Sequence, residues 1–298
     1  MDFIKYKNWF FALSLIVIVP GVIALSIWHL KLGIDFSGGT LWEIKFSQNQ
    51  EVDRQQLADF LAVNGVSYSS IVKTQEGSYL ARLHESDETQ INLLKEKVAA
   101  KFGPNEDLRL ETVGPTISKE LATKAVAAVG ASIVGILAYI TWAFRKIPKP
   151  TSSIAFGVAT IIALIHDVIV VVGIFAILGH FKNIEVDSLF ITALLTVIGF
   201  SVHDTIVVFD RIRENLLKYP EADFAEIVNQ SLSQTLGRSL NTSLTAIFVL
   251  FALFLFGGES TRIFTLALLI GIISGTYSSI FNASPLLVVW HNFVNKKK

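Results

Sequence analysis

IAFGVATIIALIHDVIVVVGIFAIL, residues Ile154–Leu178, contains one acidic residue, Asp167, beside His166, and no Lys or Arg. A helix needs ~20 mostly apolar residues to cross the hydrocarbon layer of a bilayer, so this run reads as a membrane span. Working outward, Trp9–Leu30, Ala125–Phe144, Ser188–Phe209, Leu240–Phe256 and Ile263–Trp290 share its character, Leu240–Phe256 being short and Ile263–Trp290 overlong. The expected fold class is therefore a polytopic α-helical membrane protein with six transmembrane helices. Pro20 and Gly21 interrupt the first span and predict a kink there. That span is longer than a signal-peptide apolar region and no Ala-x-Ala site follows it, so it is expected to be retained.

The whole composition agrees. The chain has 298 residues, 52% of them hydrophobic and 17% charged, with a mean hydropathy of +0.54. Ordinary soluble domains carry about 25% charged residues, so a soluble enzyme with one large core is excluded. Disorder is excluded by the apolar content. Lys+Arg and Asp+Glu both number 25; there is no basic excess to neutralise phosphates, and no nucleic-acid partner is expected. The absence of Cys removes disulfides, thiol catalysis and Cys-based zinc sites, and no metal or other cofactor is expected.

Charge is concentrated between the first two spans, where Lys31 to Lys124 hold 11 basic and 14 acidic residues. Short strands at Leu41–Phe46, Val66–Val72, Ser78–Leu83 and Leu108–Val113 alternate there with helices at Asp53–Val63 and Glu88–Phe102. Leu57, Phe60 and Leu61 align on one helix, and Ile91, Leu94 and Val98 on the other. The order βαββαβ is the ferredoxin-like α+β pattern. Expected domains are 1–30 (N-terminus and first span), 31–121 (extracytoplasmic α+β domain) and 122–298 (a bundle of the remaining spans with a cytoplasmic 211–238 connection). In that connection Phe224, Ile227, Val228 and Leu232 predict an amphipathic surface helix.

Basic residues set the orientation. With the N-terminus cytoplasmic, that side collects Lys5, Lys7, Arg145, Lys146, Lys149, Arg211, Arg213, Lys218, Arg238 and Lys296 to Lys298, while the opposite short loops hold only Lys182 and Arg262. Both termini are accordingly placed in the cytoplasm.

Carboxylates inside spans are costly, about 2.5–3.5 kcal/mol at a helix centre, and such residues often mark ion paths. Asp167 and Asp204 qualify. Arg238, opening the fifth span from the same side as Asp204, is the expected counter-charge. Reversible protonation of Asp204 beside a movable guanidinium would load and release a proton; the same pair also reads as a static ion pair fixing helix packing. Asp167 and His166 read more simply as a satisfied polar pair. His203 points about 100° away from Asp204 on the same helix, and Asp210 sits with Arg211, Arg213 and Glu214 on a solvated face. Gly38 and Gly39 do not form a phosphate loop, because they feed a strand rather than a helix with Lys and Ser/Thr; they read as a tight turn. Gly271 and Gly275 are GxxxG-spaced in a small, polar sixth span that reads as a helix-packing surface.

Four motifs coincide in one family. GIDFSGGT (Gly33–Thr40), VGPTISKEL (Val113–Leu121), GFSVHDTIVVFDRIREN (Gly199–Asn215) and TLGRSL (Thr235–Leu240) together resemble the SecF family. SecF is the smaller part of the SecDF protein-export membrane complex, itself similar to transporters of the resistance-nodulation-division superfamily. Ser118 stands where the family often has Gly. The resemblance implies a non-enzymatic accessory of the Sec translocase that uses the proton gradient to promote late stages of export. It places the family's functional Asp and Arg at Asp204 and Arg238 and structural motif residues at Gly33, Asp35, Gly38, Gly39, Gly114 and Pro115; His166, Asp167, His203 and Asp210 are secondary candidates from the charge reading alone. Implied partners are SecD, the SecYEG channel with YajC/YidC-type accessory proteins, a translocating polypeptide and membrane lipid. The alternatives are a proton-coupled small-molecule exporter of the same superfamily, which usually has twelve spans and two large external domains in one chain, and a non-conducting scaffold for SecD. An aspartyl protease is disfavoured, since Asp204 follows Ser-Val-His rather than Gly-x-Gly.

Overall fold

A computed structural model describes residues 2–47, 52–74, 77–84, 87–148 and 151–295. The chain divides into two compact units, Leu32–Val126 and the remainder, Met1–Lys31 with Ala127–Lys298. Lys149 and Lys296 to Lys298, counted above for orientation, lie outside the described residues.

The smaller unit opens with a single helical turn, α2 (Ile34–Ser37), and continues β1 (Gly39–Phe46), α3 (Arg54–Val63), β2 (Tyr68–Lys73), β3 (Tyr79–Leu83), α4 (Glu88–Phe102) and β4 (Asn105–Val113). The sheet order is β2-β3-β1-β4 with all neighbours antiparallel, the split arrangement that βαββαβ connectivity requires. Period-two side chains Trp42, Ile44 and Phe46 from β1 and Tyr79, Ala81 and Leu83 from β3 meet Leu57 and Leu61 of α3 and Ile91, Leu94 and Val98 of α4 in one core. Both helix starts are specified locally: Asp53 and Gln56 form a capping box, and Asp87 accepts from Thr89 N at 2.9 Å. Trp42, fully buried, donates its ring N–H to Asp107 at 2.7 Å, and Lys95 approaches the same carboxylate at 2.6 Å.

Gly38 and Gly39 carry φ of +75° and +108°, a region L side chains rarely enter. A Cβ at Gly39 would collide with the Leu83 carbonyl. One at Gly38 would lie 3.3 Å from Ser118 Oγ and 3.7 Å from Pro115 Cα. The Gly-Gly turn and the Gly-Pro segment, far apart in sequence, therefore pack on one another. Ser118, 3% exposed, also donates to the Pro115 carbonyl at 3.1 Å.

The helical unit carries the six apolar spans: α1 (Lys7–Trp28), α5 (Pro115–Ala143), α6 (Ser153–Lys182), α7 (Ser188–Lys218), α8 (Phe224–Phe256) and a last one formed by α9 (Glu259–Ser278), a π-helical turn (Ser279–Ala283) and α10 (Ser284–Asn295). Pro20 lies inside an unbroken α1. The small residue after it, Gly21, meets Gly173 of α6 backbone to backbone, and a Cβ at Gly173 would sit 2.6 Å from Gly21 Cα. Gly271 and Gly275 let α9 close on α7 in a similar way, there against the side chains of Val197 and Ser201: a Cβ at Gly275 would lie 2.9 Å from Ser201 Cβ. Phe144, Phe156 and Phe209 cluster where α5, α6 and α7 converge, the first two stacked and both edge-on to Phe209, with ring centroids 4.8–6.1 Å apart.

The connection 211–238 differs from expectation. No separate surface helix exists there. α7 runs on to Lys218, and α8 begins at Phe224 and continues without a break through its span. Phe224, Ile227, Val228 and Leu232 are buried in the main apolar cluster. Past Pro220 nothing stronger than the isolated Gly237 interrupts the helix, and its apolar positions recur at helical spacing into the bundle, so the backbone hydrogen bonds simply continue.

Candidate functional site: buried carboxylates of the helical bundle

The apolar residues of α6 and α7 bring two carboxylates into the interior, Asp167 at 1% exposure and Asp204 at 2%. Their surroundings differ sharply. Asp167 Oδ1 accepts from Ser274 Oγ at 2.7 Å and lies 3.0 Å from His166 Nδ1. Its Oδ2 accepts from Ser201 Oγ and Ser278 Oγ, both at 2.6 Å. The serines belong to α7 and α9, so one carboxylate joins three helices. His166 Nε2 is buried with no hydrogen-bond partner among the described residues.

Asp204 has one side-chain donor among the described residues, Ser243 Oγ of α8 at 3.2 Å. Ser243 Oγ in turn accepts from Thr276 Oγ1 of α9 at 2.7 Å. Ser239, one turn earlier on α8, is 2% exposed, and its hydroxyl has no partner among the described residues. Helical phase explains the cluster: Ser231, Thr235, Ser239 and Ser243 recur every fourth residue and are all buried.

Arg238 falls off that phase and is exposed, and no ion pair joins it to Asp204 among the described residues. It lies five residues before Ser243, roughly 7.5 Å along the axis. His203 is exposed, on a different side of α7 from Asp204. Asp210 is also exposed and pairs with Arg213 at 2.7 Å, while Arg211 binds Glu214 and Gln234, both at 2.6 Å. Asn215 completes the α7–α8 junction by donating to Ser231 at 2.8 Å and Gln234 at 2.9 Å. No group of three or more potential metal ligands occurs among the described residues.

The helices thus bring Asp204 and the middle of α8 together at Ser243 but leave the Asp–Arg pair open. The identities of the hydroxyl partners, three serines on Asp167 and Ser243 beside Asp204, are what the sequence does not single out. Ser274 and Ser278 share a helix face at i, i+4, and an acidic residue in a neighbouring span is the signal that their hydroxyls have a buried acceptor.

Comparison with known proteins gives a consistent picture. Residues 94–293 match the family model described as protein export membrane protein SecD/SecF, C-terminal, and residues 25–50 match the SecD/SecF GG motif. The chain is 48% identical to a protein translocase subunit SecF of Thermobaculum terrenum, covering 98% of this chain and 94% of that one. It is 42% identical to one of Anaerolinea thermophila, again over 98% and 94%. Among solved structures, it resembles Thermus SecDF, described as a translocon-associated membrane protein, with a TM-score of 0.83 and 36% identity. That match covers 98% of this chain and 39% of the longer SecDF chain. A SecDF in a super-membrane-facing form matches with a TM-score of 0.71 and 33% identity, over 100% of this chain and 39% of that one. Carrying both motif blocks and full-length likeness, the chain belongs to the SecF family of protein translocase subunits.

Proposed function

We propose that the protein is a multi-pass subunit of the Sec protein-export machinery that uses the proton-motive force to promote late steps of translocation, with Asp204 as the proton carrier. The observation that carries the reading is the contrast between the two buried carboxylates. The oxygens of Asp167 are engaged by three serines and the His166 ring, whereas Asp204 has a single neutral side-chain donor among the described residues. Proton exchange needs a carboxylate whose hydrogen-bond capacity is not already filled, and Asp204 is that group. Arg238 supplies a permanent positive charge near it on α8. In the present arrangement Arg238 is exposed, so pairing with Asp204 belongs to another state of the cycle, and alternation between the two states is what couples charge to motion.

SecD is the partner that completes the unit, because SecDF relatives carry both parts in one longer chain, of which this sequence matches 39%. Contacts with SecYEG, YajC/YidC-type proteins and the translocating polypeptide follow from membership of that machinery. The basic bias around the short loops favours an inner-membrane protein with both termini in the cytoplasm.

Asp204→Asn in proton-gradient-dependent export from membrane vesicles is expected to abolish the gradient-dependent component while the SecD complex still assembles. Full gradient-dependent export by this variant would refute the relay and favour a scaffold. Gradient-driven efflux of a small solute without any export defect would favour the exporter reading.

A further inference from the structure

We infer that Asp167 is not a second proton carrier but the positioning residue that holds Asp204 and its hydroxyl partners in register. The inference rests on Asp204 carrying the proton. Three observations lead to it.

Asp167 reaches both sides of the Asp204 site. On α7 it accepts from Ser201 at 2.6 Å, three residues before Asp204. On α9 it accepts from Ser274 at 2.7 Å and Ser278 at 2.6 Å, which flank Thr276. Thr276 is the residue that donates to Ser243, the donor to Asp204. Residues two apart on a helix point about 200° apart, so Ser274 and Ser278 present one face to Asp167 while Thr276 presents the other to α8. Rotation or sliding of α9 would break both sets of bonds together.

The packing around this point is tight. Gly275, between the two serines and beside Thr276, lies so close to Ser201 that a Cβ would come within 2.9 Å of the serine Cβ. With no side chain on Gly275, α7 and α9 close to one spacing, and three short hydroxyl bonds to a single carboxylate fix their axial register.

The donor set also suits a fixed charge better than an exchanging one. Ionised Asp accepts only, whereas protonation replaces one acceptor site with a donor. A proton on Asp167 would cost the set one of its acceptor sites, so that His166 Nδ1 or a serine oxygen would have to turn and accept it instead. Asp204, with one donor, undergoes no comparable loss.

The test uses the full chain assembled with its SecD partner in membrane vesicles, reading complex abundance, gradient-dependent export and labelling by dicyclohexylcarbodiimide, which modifies protonated carboxyls in apolar surroundings. The reagent is expected to label Asp204 and spare Asp167. Asp167→Ala and the double variant S274A/S278A are each expected to lower gradient-dependent export about tenfold or more at normal complex abundance, the scale of a misplaced reacting group. Asp167→Asn keeps the shape and a carbonyl acceptor, and the serine hydroxyls can turn to suit it, so it is expected to recover activity to within about threefold of wild type. Asp204→Asn remains inactive.

Labelling of Asp167, or Asp167→Asn as inactive as Asp204→Asn, makes Asp167 a carrier and overturns the inference. So does full gradient-dependent export by Asp167→Ala. If Asp167→Ala does not accumulate, Asp167→Asn and the serine pair decide between the same outcomes. If Asp204→Asn keeps gradient-dependent export, the relay itself falls, a result distinct from failure of the positioning role alone.

Discussion

Gly271→Ala offers a direct measure of how tightly the bundle is closed. A Cβ at this position would overlap Val197 Cγ2 and stand 2.6 Å from Cγ1 and 2.9 Å from Cβ. Val197 is 1% exposed, and a β-branched side chain in a helix has essentially one rotamer, so it cannot swing clear. Overpacking of this kind costs about 1–3 kcal/mol. Against it stands the gain of about 1 kcal/mol for Ala over Gly in a helix interior. The net expectation is a loss of up to about 2 kcal/mol, against a gain at Gly130, where an added Cβ meets nothing within 4 Å. The informative measurement is the cycle with Val197→Ala, which removes the two methyl groups responsible. Alone it leaves a small void; combined with Gly271→Ala, the new methyl occupies part of that space. Reversible unfolding of the purified chain in mixed detergent micelles should therefore show a favourable coupling of about 1 kcal/mol or more, well above the roughly 0.3–0.5 kcal/mol scatter of independent sites. Simple additivity of the two substitutions would mean that α7 and α9 do not touch at this turn, and the account of Asp167 as a clamp would lose its support with it.

Gly39→Ala is expected to disrupt the centre of the sheet by about 2–4 kcal/mol, because φ is +108° and the added Cβ meets the Leu83 carbonyl. Hydrogen exchange on the full chain should show lost protection along β1 and β3, and unchanged protection there would contradict the register. Asp87→Ala removes the cap that accepts from Thr89 N and is expected to cost about 1 kcal/mol, seen as faster exchange confined to the first turn of α4. Equal acceleration in β4 would show that the helix and strand unfold as one piece.

Much of this architecture is legible in the residues because two physical signals are strong. Apolar length alone identifies the spans, and α4 occurs at the Glu88–Phe102 limits that its pattern predicts. The period-two triplet Trp42, Ile44 and Phe46 marks the covered face of β1 just as clearly. The extent of α7 and α8 is less legible, because charged residues after Asp210 resemble a loop whereas helical hydrogen bonding needs no apolar face to continue. Turn α2 is hidden for a similar reason: four residues before Gly38 are too few to show periodicity. At the site, Asp204 stands out because a charge in a span is costly. The serines that satisfy Asp167 do not, since hydroxyls satisfy themselves on their own helix backbone as readily as they cross to another. Which of them face the carboxylate depends on the rotation of α9, and that is set by Gly271 and Gly275.

The uninterrupted course of α7 and α8 has a mechanical consequence. At 31 and 33 residues they measure roughly 46 and 50 Å, against a hydrocarbon layer of about 30 Å. Joined by the short Tyr219–Asp223 loop and riveted by Asn215, Ser231, Gln234 and Arg211, their ends form a stiff antiparallel hairpin that extends beyond the bilayer core. A tilt of about 10° about the far end of such a rod carries its tip roughly 8 Å. Asp204 stands about halfway along α7, so on such a rod a shift of about 4 Å where it meets Ser243 appears roughly doubled at the hairpin tip, with no hinge needed between the charge and the surface that moves.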